Sequence, residues 1–473
     1  MRKLVLCLCL AATSGPGQWS APMALPHDSA DDLACTAVAI DDSSLFAAWV
    51  SRYGFTEYEI RGSMYNADSG RWTGLRRFAT RSAEIAMTGP GLSTDPLRNR
   101  LWVAYYKGAF PVDQDSWGVY TAYADSAGIS PSELTMSDTG VSAIVLRHNG
   151  AGQTGMVWTD IAGTPPDFYS SVWFSQLDGD TWRARRLVAG GSAMPLTDCT
   201  EPALCADTGD RFFVAWTRIV PIVPSYRVHI AGLPDTTTLG VFPGSSPAIV
   251  SDLHGTLLET NVQTVNTERL LLARMYRAGN WTAPETISRT ATPGVRQRMC
   301  VDTAGIFWVI YTEGVGQPMT LLARYYQNDG WSTPETVAVG GVYNSPVIVS
   351  TYSSQLWAVW QGQDTDTGRI FSSRRLGRPG VGSGPMREAS RDRIEARPNP
   401  FRTTVNLRLP TGAQRVNIYD ATGRLVRSLS ASGDRSAAGV VWDGTDRTGR
   451  RVCPGLYCVR EPVSGASTTL ILR

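Results

Sequence analysis

Residues 271–286 read LLARMYRAGNWTAPET, and residues 321–336 read LLARYYQNDGWSTPET. Their tryptophans, Trp281 and Trp331, stand 50 residues apart (331 − 281). A near-verbatim segment returning at such a period marks a chain assembled from copies of one supersecondary unit, each too small to bury its apolar faces alone. The fragment QWSAP at 18–22 repeats only the end of that segment. An orphan last strand at the N-terminus predicts an array that closes into a ring.

Each unit has three parts. A strand ends in an Asp/Gly turn, as in CADTGD at 205–210 and CVDTAG at 300–305. An apolar and aromatic strand follows: LFAAW at 45–49, LWVAY at 101–105, TGMVW at 154–158, FFVAW at 212–216, FWVIY at 307–311 and LWAVW at 356–360. After a variable loop come a third strand and a short hairpin ending in Trp72, Trp182, Trp281 or Trp331. GTLLETN at 255–261 is a degenerate copy of the second strand, and it fills the 95-residue gap between Trp216 and Tyr311 (311 − 216). Val, Phe, Trp and Tyr enrichment between Gly, Asp, Asn and Pro turns reads as short strands. The expectation is an all-β, seven-bladed β-propeller over 18–377, with the Trp-x-x-Pro segment outermost in each blade. The last unit stops at RIFSSRRL (369–376) without that segment, which QWSAP supplies. Six or eight blades are the alternatives if the degenerate copy is miscounted.

The N-terminus, MRKLVLCLCLAATSGPG, has a basic end, a short apolar run and small residues, the pattern of a secretory signal peptide over 1–17. No later stretch reaches the roughly 18 apolar residues of a membrane helix. A net charge of +2 gives no bulk attraction to nucleic acid. Beyond the signal peptide, Cys199/Cys205 and Cys453/Cys458 are close in sequence and are candidate disulfides, while Cys35 and Cys300 read as small core residues. With no CxxC and four histidines, His27, His148, His229 and His254, no zinc site is expected. Walker, GxSxG and HExxH motifs do not occur, and no cofactor is expected.

Residues 378–396 have linker composition, rich in Gly, Pro, Ser and charge. Strands and Asp/Gly turns then alternate to the end, giving a small Ig-like β-sandwich over 397–473. Its Pro398-Asn399-Pro400-Phe401, Ile418-Tyr419-Asp420, Gly423-Arg424, Trp442-Asp443-Gly444 and Gly455-Leu456-Tyr457 resemble the C-terminal sorting domain of type IX secretion. The same stretch resembles the Ig-like domain of flagellar hook-capping proteins. The first resemblance implies a bacterial protein carried across the outer membrane by its secretion machinery, to be released or held at the surface. A plain spacer module is the alternative.

The propeller repeats resemble the sialidase-like and related families. Asp68-Ser69-Gly70-Arg71-Trp72 and the stretch from Asp302 to Trp308 approximate the Asp-box turn of those families, in which Asp caps backbone N–H groups and Trp packs. Neither the arginine triad nor the N-terminal signature of sialidases has a counterpart, so that activity is not carried over. Propeller ligands bind where the loops between second and third strands meet. Here those loops are expected to open with Lys107, Asp160, Arg218, Glu313 and Gln361, a polar ring that solvated loop starts would equally produce. Tyr53, Phe55, Phe110, Trp117, Phe168, Tyr169 and Tyr226 make the same loops aromatic. Aromatic faces stack on sugars and anchor protein interfaces, although each could instead pack on a neighbouring blade. Three readings follow: an exported propeller binding a carbohydrate or protein ligand, a glycan hydrolase or lyase using acids such as Asp160 and Glu313, or a non-catalytic adhesive envelope protein.

Overall fold

The computed structural model describes residues 19–376 and 394–472 apart from short loop stretches, the longest being 109–116, 163–168, 290–296, 431–438 and 461–466. The expected signal peptide, most of the expected linker, Pro398 to Pro400 and Gly423-Arg424 lie outside the described residues. Contacts divide the chain into two compact units, Met1–Pro379 and Gly380–Arg473.

Seven antiparallel sheets make up the first unit, each running in chain order from an inner to an outer strand. Their second strands are Leu45–Tyr53, Arg100–Lys107, Thr154–Ala162, Phe212–Val220, Leu257–Val265, Phe307–Glu313 and Leu356–Asp364. Every predicted apolar segment therefore falls on the second strand of a blade, and the degenerate copy is a full member. These strands read as continuous apolar runs because both of their faces are covered. Leu45, Ala47 and Trp49 of blade 1 meet Trp357, Val359 and Ile370 of blade 7, while Phe46, Ala48 and Val50 meet Leu101, Val103 and Tyr105 of blade 2. The hairpin tryptophans open the outer strand: Trp72, Trp182, Trp281 and Trp331 pair with the third strand at Tyr65, Leu177, Tyr276 and Tyr326.

Blade 7 takes its outermost strand from the N-terminus. Met23 and Ala24 pair with Ser372 and Phe371, and Trp19 bridges Arg375. The Trp19 indole is 8% exposed and donates to Glu335 Oε2 at 3.2 Å. Arg375 holds the same carboxylate through two 2.8 Å bonds. Blades 7 and 1 are further tied where Gln361 Oε1 accepts the Ala34 N–H at 3.3 Å and Trp72 Nε1 donates to Ser372 Oγ at 2.9 Å. The expected ring closure is thus present.

One end of the ring carries the hairpins between first and second strands. At Asp302 the expected capping turn is found: Oδ1 accepts the N–H groups of Ala304 and Ile306 at 2.9 and 3.0 Å, Oδ2 accepts Trp308 Nε1 at 3.3 Å, and Gly305 sits at φ 77°. Asp41, Asn149, Asp207 and Asp252 accept backbone N–H groups at matching turns. The opposite end carries the loops between second and third strands and the blade-to-blade connections.

The degenerate blade substitutes polar packing for apolar packing. Glu259, Thr260 and Asn261 stand opposite Ile249, Ala248 and the third strand, where blade 6 has Val309, Ile310 and Tyr311. Glu259 is fully buried. Arg274 Nη1 lies 3.4 Å from its Oε2 and 3.2 Å from Asn261 Oδ1, with the guanidinium 4.5 Å over the Phe242 ring.

Two cysteine expectations need correction. Cys199 and Cys205 carry free thiols on one strand, Leu196–Ala206. Six residues of extended chain span roughly 20 Å, far beyond the roughly 7 Å limit for Cα atoms of a disulfide. Cys453 is likewise an exposed free thiol, standing just ahead of the strand Gly455–Arg460 that carries Cys458. Cys35 is buried and Cys300 half-buried.

The second unit is a two-sheet sandwich. Glu395–Arg397, Val405–Arg408 and Gly439–Trp442 form one sheet, and Leu425–Ser430, Arg415–Asp420, Gly455–Arg460 and Ser467–Leu472 the other, in those orders. Trp442 is fully buried between Phe401 and Tyr457, at ring distances of 5.5 and 5.0 Å. Its Nε1 donates to the Thr445 carbonyl at 2.8 Å, which fixes the Asp443-Gly444 turn against the core.

Candidate functional site

The expected mouth residues do not open loops. Second strands run on beyond the Trp/Tyr position, so Asp160, Arg218 and Gln361 lie within strands, opposite Ser171, Arg227 and Ile370. Lys107 and Glu313 are the last residues of theirs. Tyr169 begins, and Tyr226 lies one residue into, a third strand. Ladder hydrogen bonds continue outward because each long hairpin is braced by its neighbours. Phe55, Phe110 and Phe168 lie outside the described residues.

Several candidates are consumed structurally. Tyr53 donates to Asp28 at 2.9 Å or Glu59 at 3.1 Å, and the guanidinium groups of Arg61 and Arg81 stand 5.2 and 4.2 Å from its ring. Arg61 itself pairs with Glu59 and Asp28, each at 2.7 Å. Glu313 accepts the Ser288 hydroxyl at 2.5 Å, and Gln361 is a latch between blades. Arg218 is exposed and Tyr226 is 51% exposed, both on blade 4.

Blades 2 and 3 bring four candidates together. Lys107 pairs with Gly118, next to Trp117, and its ammonium lies 4.6 Å from the Tyr120 ring centre. The Trp117 carbonyl accepts the Asp138 N–H at 3.1 Å, and its buried Nε1 has no acceptor among the described residues. Asp138 enters the first strand of blade 3, beside Asp160, and Tyr169 starts the next strand over. Asp138 Oδ2 accepts Trp158 Nε1 at 2.8 Å and pairs with Arg185 at 2.9 Å. The Arg185 guanidinium lies 4.4 Å over the Trp173 ring.

Asp160 is 8% exposed. Burial pushes its carboxyl up to about 7, reinforced by a hydrogen bond and like-charge repulsion from Asp138 and opposed by Arg185. Its Oδ1 has no partner among the described residues. Burial and the two carboxylates push the Tyr106 phenol up to about 12, so it stays protonated. The arrangement thus places a protonated carboxyl, a carboxylate and a guanidinium side by side, with Trp117 linked to them through its carbonyl.

Asp138, Arg185 and Tyr106 escaped the reading of the sequence. A signal existed for Asp138: in blade 1, Asp32 accepts the equivalent indole, Trp49 Nε1, at 2.8 Å. An Asp 17 or 20 residues before the second-strand Trp is thus a repeat feature.

Residues 394–461 match the FlgD Ig-like domain family. No curated protein matches the chain. Among solved structures, the chain is similar to the polysaccharide lyase Uly1 (9% identity, TM-score 0.49, covering 78% of this chain and 94% of that one). It is also similar to the Hadza microbial sialidase Hz136 (12%, 0.43, 73% and 66%) and to Penicillium chrysogenum alpha-L-arabinanase (12%, 0.41, 66% and 97%). The chain is a seven-bladed β-propeller followed by a FlgD Ig-like domain.

Proposed function

We propose that this protein is an exported propeller that binds a carbohydrate between blades 2 and 3. The observation that carries the reading is the buried Asp138–Asp160 pair beside Arg185, joined to Trp117 through the Asp138 N–H, with a Trp117 indole N–H that has no acceptor among the described residues. Sugars need directional donors and acceptors beside an aromatic surface, and these residues supply both. The FlgD Ig-like domain supports a role in export or surface attachment, which also accords with the signal-peptide pattern. A glycan array probed with the full chain should give binding that Trp117→Ala and Asp160→Asn each weaken at least tenfold. Binding indifferent to both changes would remove this site, and silence across the array would favour a protein ligand. Retention of the protein in the cytoplasm with an intact N-terminus would overturn the export half.

A second reading, glycan hydrolysis with Asp160 as the proton donor, is favoured by the proton that carboxyl keeps near neutral pH. Release of reducing ends that Asp160→Asn abolishes would establish it. Turnover untouched by that change would exclude Asp160 as the donor.

A further inference from the structure

Two residues beyond its Trp/Tyr position (Asn261 in the degenerate blade), each second strand sets a side chain opposite one on the third strand. In six blades that pair carries at most one charge, as in Asp160 with Ser171, Glu313 with Thr320 and Gly362 with Arg369. Blade 4 instead pairs Arg218 with Arg227. Like charges directly opposite on neighbouring strands destabilise a sheet. Strand alternation turns both arginines to the blade 3 side. Phe212, Val214 and Trp216 of the same strand pack there against Val157, Val172 and Phe174, whereas Phe213 and Ala215 meet Ile249 and Leu257 of blade 5. The next pair along the arginine face is Trp216 with His229, their rings stacked 5.4 Å apart at 20°.

Both arginines are exposed. Among the described residues neither guanidinium has a hydrogen bond, an ion pair or an aromatic ring against it. On the fourth strand Arg227 stands opposite Pro243, and on the first strand Arg218 stands opposite Cys199. Burial pushes the Cys199 thiol up to about 11 against the pull of Arg218, so it stays neutral. Burial and both guanidinium groups hold the His229 imidazole below its ordinary range, so at neutral pH it is an uncharged hydrogen-bonding group. The acids of the first strand are engaged elsewhere. Asp198 Oδ1 accepts the Ser170 N–H at 2.8 Å, and Glu201 Oε2 accepts the Thr217 hydroxyl at 3.0 Å and the Ser246 N–H at 2.8 Å. Each guanidinium offers five N–H donors in a planar fork that matches the oxygens of a carboxylate or sulfate. An anion between the two converts their repulsion into attraction.

We infer that blade 4 carries a site for the oxyanion of an acidic sugar, a uronate carboxylate or a sulfate ester, held by Arg218 and Arg227 beside the Trp216–His229 stack. The inference rests on the carbohydrate reading for the class of ligand, but its residues are separate from Asp138, Asp160 and Trp117. Isothermal titration of the full chain in low-salt buffer with hexagalacturonate, a κ-carrageenan hexasaccharide and neutral cellohexaose tests it. An acidic probe is expected to bind at least tenfold more tightly than cellohexaose. Arg218→Gln and Arg227→Gln should each weaken that binding tenfold or more, and Arg289→Gln, at a surface ion pair, should leave it unchanged. Tighter binding of hexagalacturonate would assign the site to a carboxylate, and tighter binding of the carrageenan probe to a sulfate ester. Without ligand, Arg227→Gln should melt at a higher temperature than wild type in low salt, because the repulsion is gone; a lower one would overturn the view that the pair is uncompensated. Acidic binding lost in both arginine variants but kept in Trp117→Ala and Asp160→Asn supports this site alone. Glycan binding without acidic preference, or acidic binding indifferent to both arginine changes, overturns this inference and leaves the reading of blades 2 and 3 standing. Silence with every glycan, acidic or neutral, overturns both.

Discussion

Trp19→Ala tests the ring closure most directly. The substitution removes a nearly fully buried indole from a cluster containing Trp308, Tyr343 and Trp360. Truncating a buried tryptophan costs about 3–5 kcal/mol when the site collapses only partly. The bond to Glu335 is lost as well, but Glu335 keeps both bonds to Arg375, so no buried charge is stranded. The expected loss is therefore about 4 kcal/mol, concentrated where the N-terminal strand covers Thr367–Arg374. At about 1.4 kcal/mol per decade, amides of that strand should exchange roughly a hundred- to a thousandfold faster. A melting temperature lower by several degrees should accompany this. Hydrogen exchange read by mass spectrometry at low denaturant resolves the strand, with Phe212–Val220 across the ring as internal reference. Unchanged protection in Thr367–Arg374 would refute the view that this strand locks the last blade.

Glu259 gives a pH test. Burial raises its carboxyl to about 8 from an ordinary 4.5, so the folded chain holds a proton that the unfolded chain releases. The penalty is absent below about pH 4.5, grows through the window up to about pH 8 and is constant above it. Glu259→Val, which copies Val309 of blade 6, should gain stability over wild type as pH rises from 5 to 8; a pH-independent difference in urea midpoints would count against this. Asp160→Asn should flatten the pH dependence of glycan binding between about pH 6 and 8, and an unaltered profile would remove Asp160 from the site. Trp442→Ala should cost about 3–5 kcal/mol in the C-terminal sandwich and leave the propeller's melting transition in place. Calorimetry with two resolved transitions checks it, and a shift of the propeller transition would refute independent folding.

The blades were legible because each second strand is apolar throughout, from LFAAW at 45–49 to LWAVW at 356–360. That pattern depends only on burial of both faces. Ring closure was legible because QWSAP completes a unit that RIFSSRRL leaves unfinished. Half of the proposed site is legible in the sequence: Lys107, Trp117, Asp160 and Tyr169 read as polar and aromatic mouth residues. Asp138 does not, because its nearness to Asp160 depends on how one blade's exit meets the next blade's entry, and strand periodicity carries no such information. The disulfide expectation failed for a related reason. Closeness in sequence is separation in space when both cysteines ride one extended strand, as Cys199 and Cys205 do.

The closing strand also fixes an order of events. Ser20 and Ser373, hydrogen-bonded partners in the latch, are 353 residues apart in the chain. A chain made N-terminus first delivers its latch long before the blade that receives it. Until then blade 7 has no rim and blade 1 no neighbour on one side, so the circle cannot be sealed by any local step. The last stretch of the propeller to be made, Thr367–Arg374, therefore decides when the whole ring becomes rigid.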